Sequence, residues 1–215
     1  MPVRDPLKNP GGYGYAVPSK KKGEMVEMVN CESGIERDYA HLLNYDPQVM
    51  SYEEQPCKIA YFFELKERFY IPDFAVYWRD QTPSLVECKP VSKINDPENL
   101  QKWTAARLWF ERHHYTFMLV TDAALRQCGC LLSNIKLLAG HGHQRIMPQA
   151  KDYLLRTIQA ESRALSVAEL VERSPQLKPN VVRSCVWHLL YTRELCADLT
   201  RPLNVMTTLI WFPTK

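Results

Sequence analysis

Two short stretches of the sequence combine acidic and basic residues that could act together on a phosphodiester. Ile71-Pro72-Asp73 is followed, after thirteen intervening residues, by Glu87-Cys88-Lys89. This is the pattern P-D-x(13)-E-x-K. Two carboxylates can bind a hard divalent cation such as Mg²⁺, for which Mn²⁺ is expected to substitute. The lysine can orient a water or offset negative charge on a phosphate. The pattern predicts a metal-dependent hydrolase acting on phosphodiester bonds.

Neighbouring strands would bring these residues together. Asp73 falls in one strand-like run and Glu87 at the end of the next, with the polar turn 79–83 between them. Side chains alternate along a strand, so Glu87 and Lys89 share a face, and the backbone carbonyl of Cys88 can add an oxygen ligand. The alternative is structural, with Lys89 paired to one of the carboxylates on a solvated strand.

Composition narrows the class of protein. The chain has 215 residues, 46% of them hydrophobic, and a formal net charge of +3. No apolar run is long enough for a membrane span, and the N-terminus lacks the apolar stretch of a secretory signal, so no membrane association is expected. The seven cysteines are then expected to be reduced thiols of a cytoplasmic protein.

The charge is unevenly distributed. Residues 1–30 carry five basic and three acidic residues, residues 31–149 carry 13 and 15, and residues 150–215 carry nine and six. An acidic middle between basic flanks suits an enzyme that binds cations at its centre and phosphates at its edges. Random scatter of charge over a solvated surface is the alternative.

The sequence predicts three regions. Residues 1–30, rich in glycine, proline and lysine, predict a mobile basic arm. Residues 31–147 predict an α/β nuclease domain with a mixed central sheet: a helix capped by Ser33, strand-like runs over 49–54, 57–63, 69–78 and 84–88, a helix over 97–113, a strand over 115–120 and a helix over 131–138. Residues 148–215 predict a winged-helix domain, with helices over 149–161, 167–172 and 179–193 before two extended runs, 195–199 and 205–212.

The ordered motifs resemble the TnsA-type endonucleases of cut-and-paste transposons, within the restriction-endonuclease-like PD-(D/E)xK superfamily. The resemblance covers residues 32–138 and rests on Glu32-Ser-Gly-Ile-Glu36, Asp46-Pro47-x-Val49, Gln55-Pro56, Tyr70-Ile-Pro-Asp-Phe74, Val86-Glu-Cys-Lys-Pro90 and Asn134-Ile135.

The resemblance implies a restriction-endonuclease-like fold and an enzyme that cuts the 5′ ends of the transposon. It implies double-stranded DNA at the transposon ends as substrate. It also implies two protein partners, an integrase-type transposase (TnsB) that cuts and joins the 3′ ends and an AAA+ ATPase regulator (TnsC). The family's catalytic positions fall on Glu36, Asp73, Glu87 and Lys89, with the first three as metal ligands.

Glu36 has a second interpretation. It is the fourth residue of Ser33-Gly-Ile-Glu36, which has the form of a capping box, so its carboxylate could serve the helix N-terminus instead of a metal. The resemblance favours the metal site.

Further residues are candidates for DNA binding. In the nuclease domain they are Gln55, Gln101, Lys102 and Arg107, and in the C-terminal domain they are Lys178, Asn180, Arg183 and His188. A backbone contact at a strand end is the alternative for Gln55, and a solvated helix face is the alternative for the three residues that follow it.

Two other functions stay open at this point. A restriction or repair nuclease would cut DNA without a transposase, and a non-cleaving DNA-binding assembly factor would keep the fold without the chemistry. The four charged residues at the catalytic positions disfavour the second.

Overall fold

The computed structural model describes residues 14–22 and 25–213. The chain divides into two units, one ending at Gln127 and the other beginning at Cys128. This division lies before the boundary expected at residue 147. The reason lies in helix α4 (Cys130–Gly142), which packs along helix α7 (Pro179–Tyr191) and therefore belongs with the C-terminal elements.

The described part of the expected arm is folded, which corrects the prediction of a mobile segment over 1–30. Strands β1 (Tyr15–Ser19) and β2 (Glu27–Cys31) form an antiparallel hairpin. Val17 and Val29 face each other in the pairing and are buried, and β1 packs on helix α1 (Gly34–Tyr45). Alternate apolar positions in each strand supply the buried face. Residues 1–13 lie outside the described residues.

Helix α1 has the boundaries that its sequence predicts. Ser33 is the N-cap, and its hydroxyl accepts a hydrogen bond from the backbone N–H of Glu36. The helix ends at Tyr45, and its C-cap Asp46 has extended backbone, because Pro47 disfavours helical backbone in the residue before it. Tyr39, Ala40 and Leu43 are buried along one face.

A four-stranded mixed sheet lies at the centre of the first unit. Its strands are β3 (Val49–Glu54), β6 (Phe74–Trp78), β7 (Ser84–Lys89) and β8 (Thr116–Thr121), in the order β3-β6-β7-β8. The first two pairings are antiparallel, and β7 pairs with β8 in parallel. Helix α2 (Pro97–Arg112) makes the crossover that a parallel pair requires. This arrangement fits a restriction-endonuclease-like core.

The run predicted as one strand over 69–78 is in fact two strands. β5 (Lys66–Tyr70) pairs with β4 (Ile59–Phe63) in a separate hairpin, and β6 begins only at Phe74. The interval between the runs predicted over 57–63 and 69–78 shrinks to Glu64 and Leu65, which both have positive φ values, 50° and 60°. Two successive positive φ values match a tight turn whose twist suits a β-hairpin.

Helix α2 packs over this hairpin. Trp103, Ala106 and Phe110 from the helix form one core with Ile59 and Tyr70 from β4 and β5. The helix begins at Asp96, whose carboxylate accepts the backbone N–H of Glu98. A short helix that the sequence did not predict, α3 (Asp122–Gln127), follows β8.

The second unit is mainly helical. It contains α4, α5 (Pro148–Gln159), α6 (Val167–Glu172) and α7, with the two-residue strands β9 (Leu165–Ser166) and β10 (Leu209–Ile210) paired antiparallel. The extended runs predicted over 195–199 and 205–212 reduce to β10 and a single bridge between Cys196 and Trp211. In α4, Asn134 donates hydrogen bonds to the carbonyls of Leu199 and Arg201, which holds the segment after α7 in place.

None of the helices in the described ranges is both long enough and apolar enough to cross a lipid bilayer.

Candidate active site

Asp73 and Glu87 lie on adjacent antiparallel segments at one end of the central sheet. Asp73 directly precedes β6, and Phe74 pairs with Val86 of β7. The backbone N–H of Asp73 donates to the carbonyl of Val86 at 2.9 Å. The carboxylate of Asp73 in turn accepts the backbone N–H of Cys88, with 2.6 Å between Oδ2 and N. The Asp73 carboxylate is therefore fixed next to the Glu87-Cys88-Lys89 segment.

Glu87 is buried, with only 2% of its surface exposed, and both of its carboxylate oxygens accept hydrogen bonds. Oε1 lies 2.9 Å from Nζ of Lys102 and 3.1 Å from Nζ of Lys89. Oε2 accepts the hydroxyl hydrogen of Tyr70 at 2.9 Å. Two lysines therefore compensate the charge of one buried glutamate.

Glu36 is buried at the N-terminus of α1 and has two local partners. Its backbone N–H donates to Ser33, and its Oε2 accepts the backbone N–H of Glu32 at 2.7 Å. The carboxylate thus accepts the backbone N–H of Glu32, the residue before the N-cap. In a standard capping box it would accept the backbone N–H of the N-cap residue, here Ser33. Burial raises the pKa of Glu36, although hydrogen bonds from the Glu32 backbone and the Ser33 side chain lower it; the charge of Glu32 raises it further, whereas Lys89 lowers it.

The negative charges of Glu87 and Glu36 influence the pKa of Asp73. Burial, followed by the negative charges of Glu87 and Glu36, raises the pKa of Asp73 well above its ordinary value. Burial lowers the pKa of Lys89, but Glu87 and Asp73 raise it more, so that its pKa lies above the ordinary value. A cation bound between these carboxylates would offset the repulsion among them, whereas the positive charge of Lys89 offsets part of it in the metal-free protein.

Within residues 14–22 and 25–213, no three His, Cys, Asp or Glu side chains form a group that is arranged to hold a metal ion. The donor chemistry nevertheless fits a hard cation, because the carboxylates of Glu87 and Glu36 lie near Asp73. Burial also raises the pKa values of the neighbouring Cys31 and Cys88 thiols, which disfavours their thiolate forms. Cys88 lies in β7 at the register position of Val120 in β8. Its backbone carbonyl remains a predicted ligand.

Gln55 is near the cluster but is held by its own contacts. It follows β3 with a positive φ of 47° and is 3% exposed. Its backbone N–H donates to the carbonyl of Asp73 at 2.9 Å, and its side-chain amide donates to Glu32 at 3.0 Å. Gln55 therefore links β3, Asp73 and the segment before α1, and DNA binding by its side chain stays a prediction.

The three candidate residues of α2 are not equivalent. Gln101 and Arg107 are exposed, and Arg107 forms an ion pair with Glu111 at 3.3 Å beside a groove of about 490 Å³. Lys102 instead points inward to Glu87. Lys102 therefore does not lie on a solvated helix face, which was the alternative to DNA binding for all three residues.

The four C-terminal candidates lie on or beside α7. Lys178, Asn180 and Arg183 are exposed at its N-terminal half. His188 is partly buried, and its Nδ1 lies 3.1 Å from the carbonyl of His141 in α4. DNA binding by the first three stays a prediction, whereas His188 contributes to packing between two helices of its own unit.

Sequence reasoning gave no role to Tyr70 or Glu32, although both lie within the motifs that carry the resemblance. Tyr70 ends β5, is 2% exposed, and binds Glu87. Burial and the charge of Glu87 raise its pKa well above the ordinary value, so it remains a hydroxyl donor. Position in the strand immediately before Pro72-Asp73 is the signal that could have identified it.

The comparisons with known proteins agree with this geometry. Residues 46–122 match the family model for the TnsA-like endonuclease N-terminal domain. The matched stretch runs from the end of α1 to the end of β8, and it contains Asp73, Glu87 and Lys89. No curated protein matches the chain. Residues 46–122 therefore form a TnsA-like endonuclease N-terminal domain, which confirms the resemblance to the TnsA-type transposon endonucleases.

Proposed function

We propose that the chain is a DNA endonuclease that cuts the 5′ ends of a transposon by metal-dependent hydrolysis of a phosphodiester. The observation that supports this most directly is the cluster of Asp73, Glu87 and Lys89 inside a TnsA-like endonuclease domain. Glu36 completes the cluster from α1. The PD-(D/E)xK superfamily is the assignment that this arrangement supports.

Mg²⁺ is the proposed cofactor, with Mn²⁺ as a substitute. The proposed ligands are Glu36, Asp73, Glu87 and the backbone carbonyl of Cys88. A divalent cation there would polarise the phosphodiester and acidify a bound water. The raised pKa of Asp73 supports the proposal, because burial and then the nearby charges of Glu87 and Glu36 raise it, and a bound cation would relieve both effects.

The side chains have separate tasks in this scheme. The Cys88 N–H holds Asp73 in one orientation, and the Glu32 N–H does the same for Glu36. Lys89, partly exposed and positively charged, offsets negative charge that develops on the phosphate.

The C-terminal unit is proposed to be a winged-helix domain. Three helices, α5 to α7, followed by the β9–β10 pair, support this assignment. Exposed Lys178 and Arg183 support contact with DNA phosphates, although such a domain also binds proteins.

The proposed partners are an integrase-type transposase (TnsB), which acts on the 3′ ends, and an AAA+ ATPase regulator (TnsC). The small net charge of +3 supports dependence on partners, because few uncompensated basic residues are present to hold DNA by charge alone. The isolated chain is therefore expected to cut poorly.

Cleavage of transposon-end DNA by Asp73→Ala tests the proposal. With the transposase and Mg²⁺ present, the wild-type protein should cut at the 5′ ends and the variant should not. Asp80→Ala, which removes an exposed aspartate from the turn between β6 and β7, is the matched control and should cut normally. Cutting by Asp73→Ala at the wild-type rate would overturn the site, and full activity without the transposase would instead favour a stand-alone nuclease.

A further inference from the structure

Both ammonium groups near Glu87 converge on the same oxygen. Oε1 lies 2.9 Å from Nζ of Lys102 and 3.1 Å from Nζ of Lys89. A carboxylate oxygen has two lone pairs, so these donors take up the acceptor capacity of Oε1. Tyr70 binds the other oxygen. An incoming cation would have to compete for Oε1.

Lys102 is held in this position by aromatic rings as well as by charge. Its Nζ lies 4.8 Å from the centre of the Tyr70 ring and 5.5 Å from the centre of the Trp103 ring, within the range of cation–π attraction. Its side chain is 17% exposed, whereas that of Lys89 is 31% exposed. The two lysines therefore differ in how freely they meet solvent or substrate.

The two lysines also differ in the element that carries them. Lys89 shares strand β7 with Glu87, two residues away, so the strand sets the distance between their backbones. Lys102 comes from α2, so its contact with Glu87 depends on how that helix and its side chain are placed. Both lysines can leave Glu87 by rotating their side chains, and Lys102 is the nearer to Oε1 and the more enclosed of the two.

We propose that Lys102 is a positioning residue that acts through Glu87 and competes with the divalent cation for Oε1. In the metal-free protein, its ammonium group neutralises the buried carboxylate. When a cation occupies Glu87, Lys102 leaves Oε1. This inference rests on the proposed function, because it requires that Glu87 is a metal ligand.

Binding of Mn²⁺ to the full-length protein without DNA tests the inference, with free Mn²⁺ followed by electron paramagnetic resonance. Lys102→Met keeps the length of the side chain and removes its charge, so Mn²⁺ should bind about tenfold more tightly than to wild type. Lys102→Arg should restore wild-type affinity. Lys93→Met, which removes a lysine whose side chain is 62% exposed, is the matched control and should also bind as wild type does. Equal or weaker binding by Lys102→Met would overturn the inference.

A second measurement needs no variant. In protein with ¹⁵N-labelled lysine, the Nζ resonance of Lys102 should shift as Mg²⁺ is added and should then report a more mobile ammonium group. A Lys102 resonance that stays unchanged while Mg²⁺ binds would overturn the inference even if Lys102→Met failed to fold.

Asp73→Ala separates this inference from the proposed function. If wild type binds Mn²⁺, Asp73→Ala does not, and Lys102→Met binds no more tightly, the proposed metal site stands and the role of Lys102 falls. If neither wild type nor Lys102→Met binds Mn²⁺, both fall.

Discussion

The carboxylate of Asp73 accepts the backbone N–H of Cys88 across two neighbouring strands, with 2.6 Å between Oδ2 and N. The bond ties the residue before β6 to the end of β7, and so joins the two halves of the P-D-x(13)-E-x-K pattern. The donor is the backbone N–H of Cys88, so the bond does not depend on the side chain at position 88. An asparagine at position 73 could accept the same N–H through its amide oxygen.

Asp73→Asn should therefore stabilise the metal-free protein at neutral pH while abolishing cleavage. Burial and the neighbouring carboxylates raise the pKa of Asp73. When the pKa of a carboxylate is higher in the folded than in the unfolded protein, the free energy of unfolding falls as the pH rises from the unfolded pKa through the folded pKa. Asparagine does not titrate, so the variant avoids this loss. A gain in Tm of about 2–4 °C is expected at pH 7, corresponding to about 1 kcal/mol. The gain should shrink at pH 4.5, and thermal unfolding at both values without divalent cations measures it. A variant less stable than wild type at pH 7 would contradict the prediction.

Substitution of Glu36 should separate its two interpretations. Glu36→Gln keeps an oxygen that can accept the Glu32 N–H, so stability should change by no more than about 0.5 kcal/mol, while cleavage falls at least about 100-fold. Glu36→Ala should lose the same activity and a further ~1 kcal/mol of stability. Denaturant unfolding and end-cleavage assays give the two readouts. Wild-type cleavage by Glu36→Gln would assign Glu36 to helix capping alone.

Glu169 should titrate far below an ordinary glutamate. Its carboxylate accepts hydrogen bonds from Arg163 and from the backbone N–H of Ser166, while the Ser166 hydroxyl accepts the backbone N–H of Glu169 in a capping box. These contacts lower the pKa of Glu169 to about 2. Stability from these contacts should be present above the ordinary pKa of a glutamate and lost as the pH falls towards about 2. The ¹³C shift of the Glu169 carboxylate over pH 1.5–6 measures the midpoint. Arg163→Ala should move it upwards, and an ordinary midpoint in wild type would refute the ion-paired capping box.

Gly142 should tolerate no side chain. A Cβ there would lie 2.1 Å from Cδ1 of Tyr191, closer than any real contact. Gly142→Ala should destabilise the C-terminal unit by about 1–3 kcal/mol through overpacking. Tyr191→Ala should remove most of that penalty in the double variant, as chemical denaturation can show. Gly140→Ala is the control, because a Cβ at that position meets no atom within 4 Å.

Local rules predicted much of the fold. The boundaries of α1 follow from Ser33 and Pro47, and β3 and α2 follow from strand and helix patterns. The prediction of a mobile arm was wrong for the β1–β2 hairpin, because glycine, proline and lysine outnumber the two buried valines, Val17 and Val29, that anchor it. A hairpin that is buried on another element needs few apolar residues of its own.

The candidate site was predictable where residues are close in sequence or lie on successive strands. The pairing of β6 with β7 brings Asp73 to Glu87, as alternation along strands suggests. The inward position of Lys102 was not predictable, since it depends on the rotation and docking of α2 over the β4–β5 hairpin. Periodicity identifies a helix face but does not determine which long side chain reaches into a site.

The loop between β1 and β2 has a consequence for engineering the protein. The Lys21 side chain donates to the carbonyls of Leu43 and Asp46 at the end of α1, and Lys22 forms an ion pair with the buried Glu54 at 2.6 Å. A shortened gene that starts at Cys31 would leave two helix-end carbonyls and a buried carboxylate without these lysines. Fusion tags and linkers should therefore join the chain ahead of Tyr15, so that the hairpin stays part of the expressed nuclease.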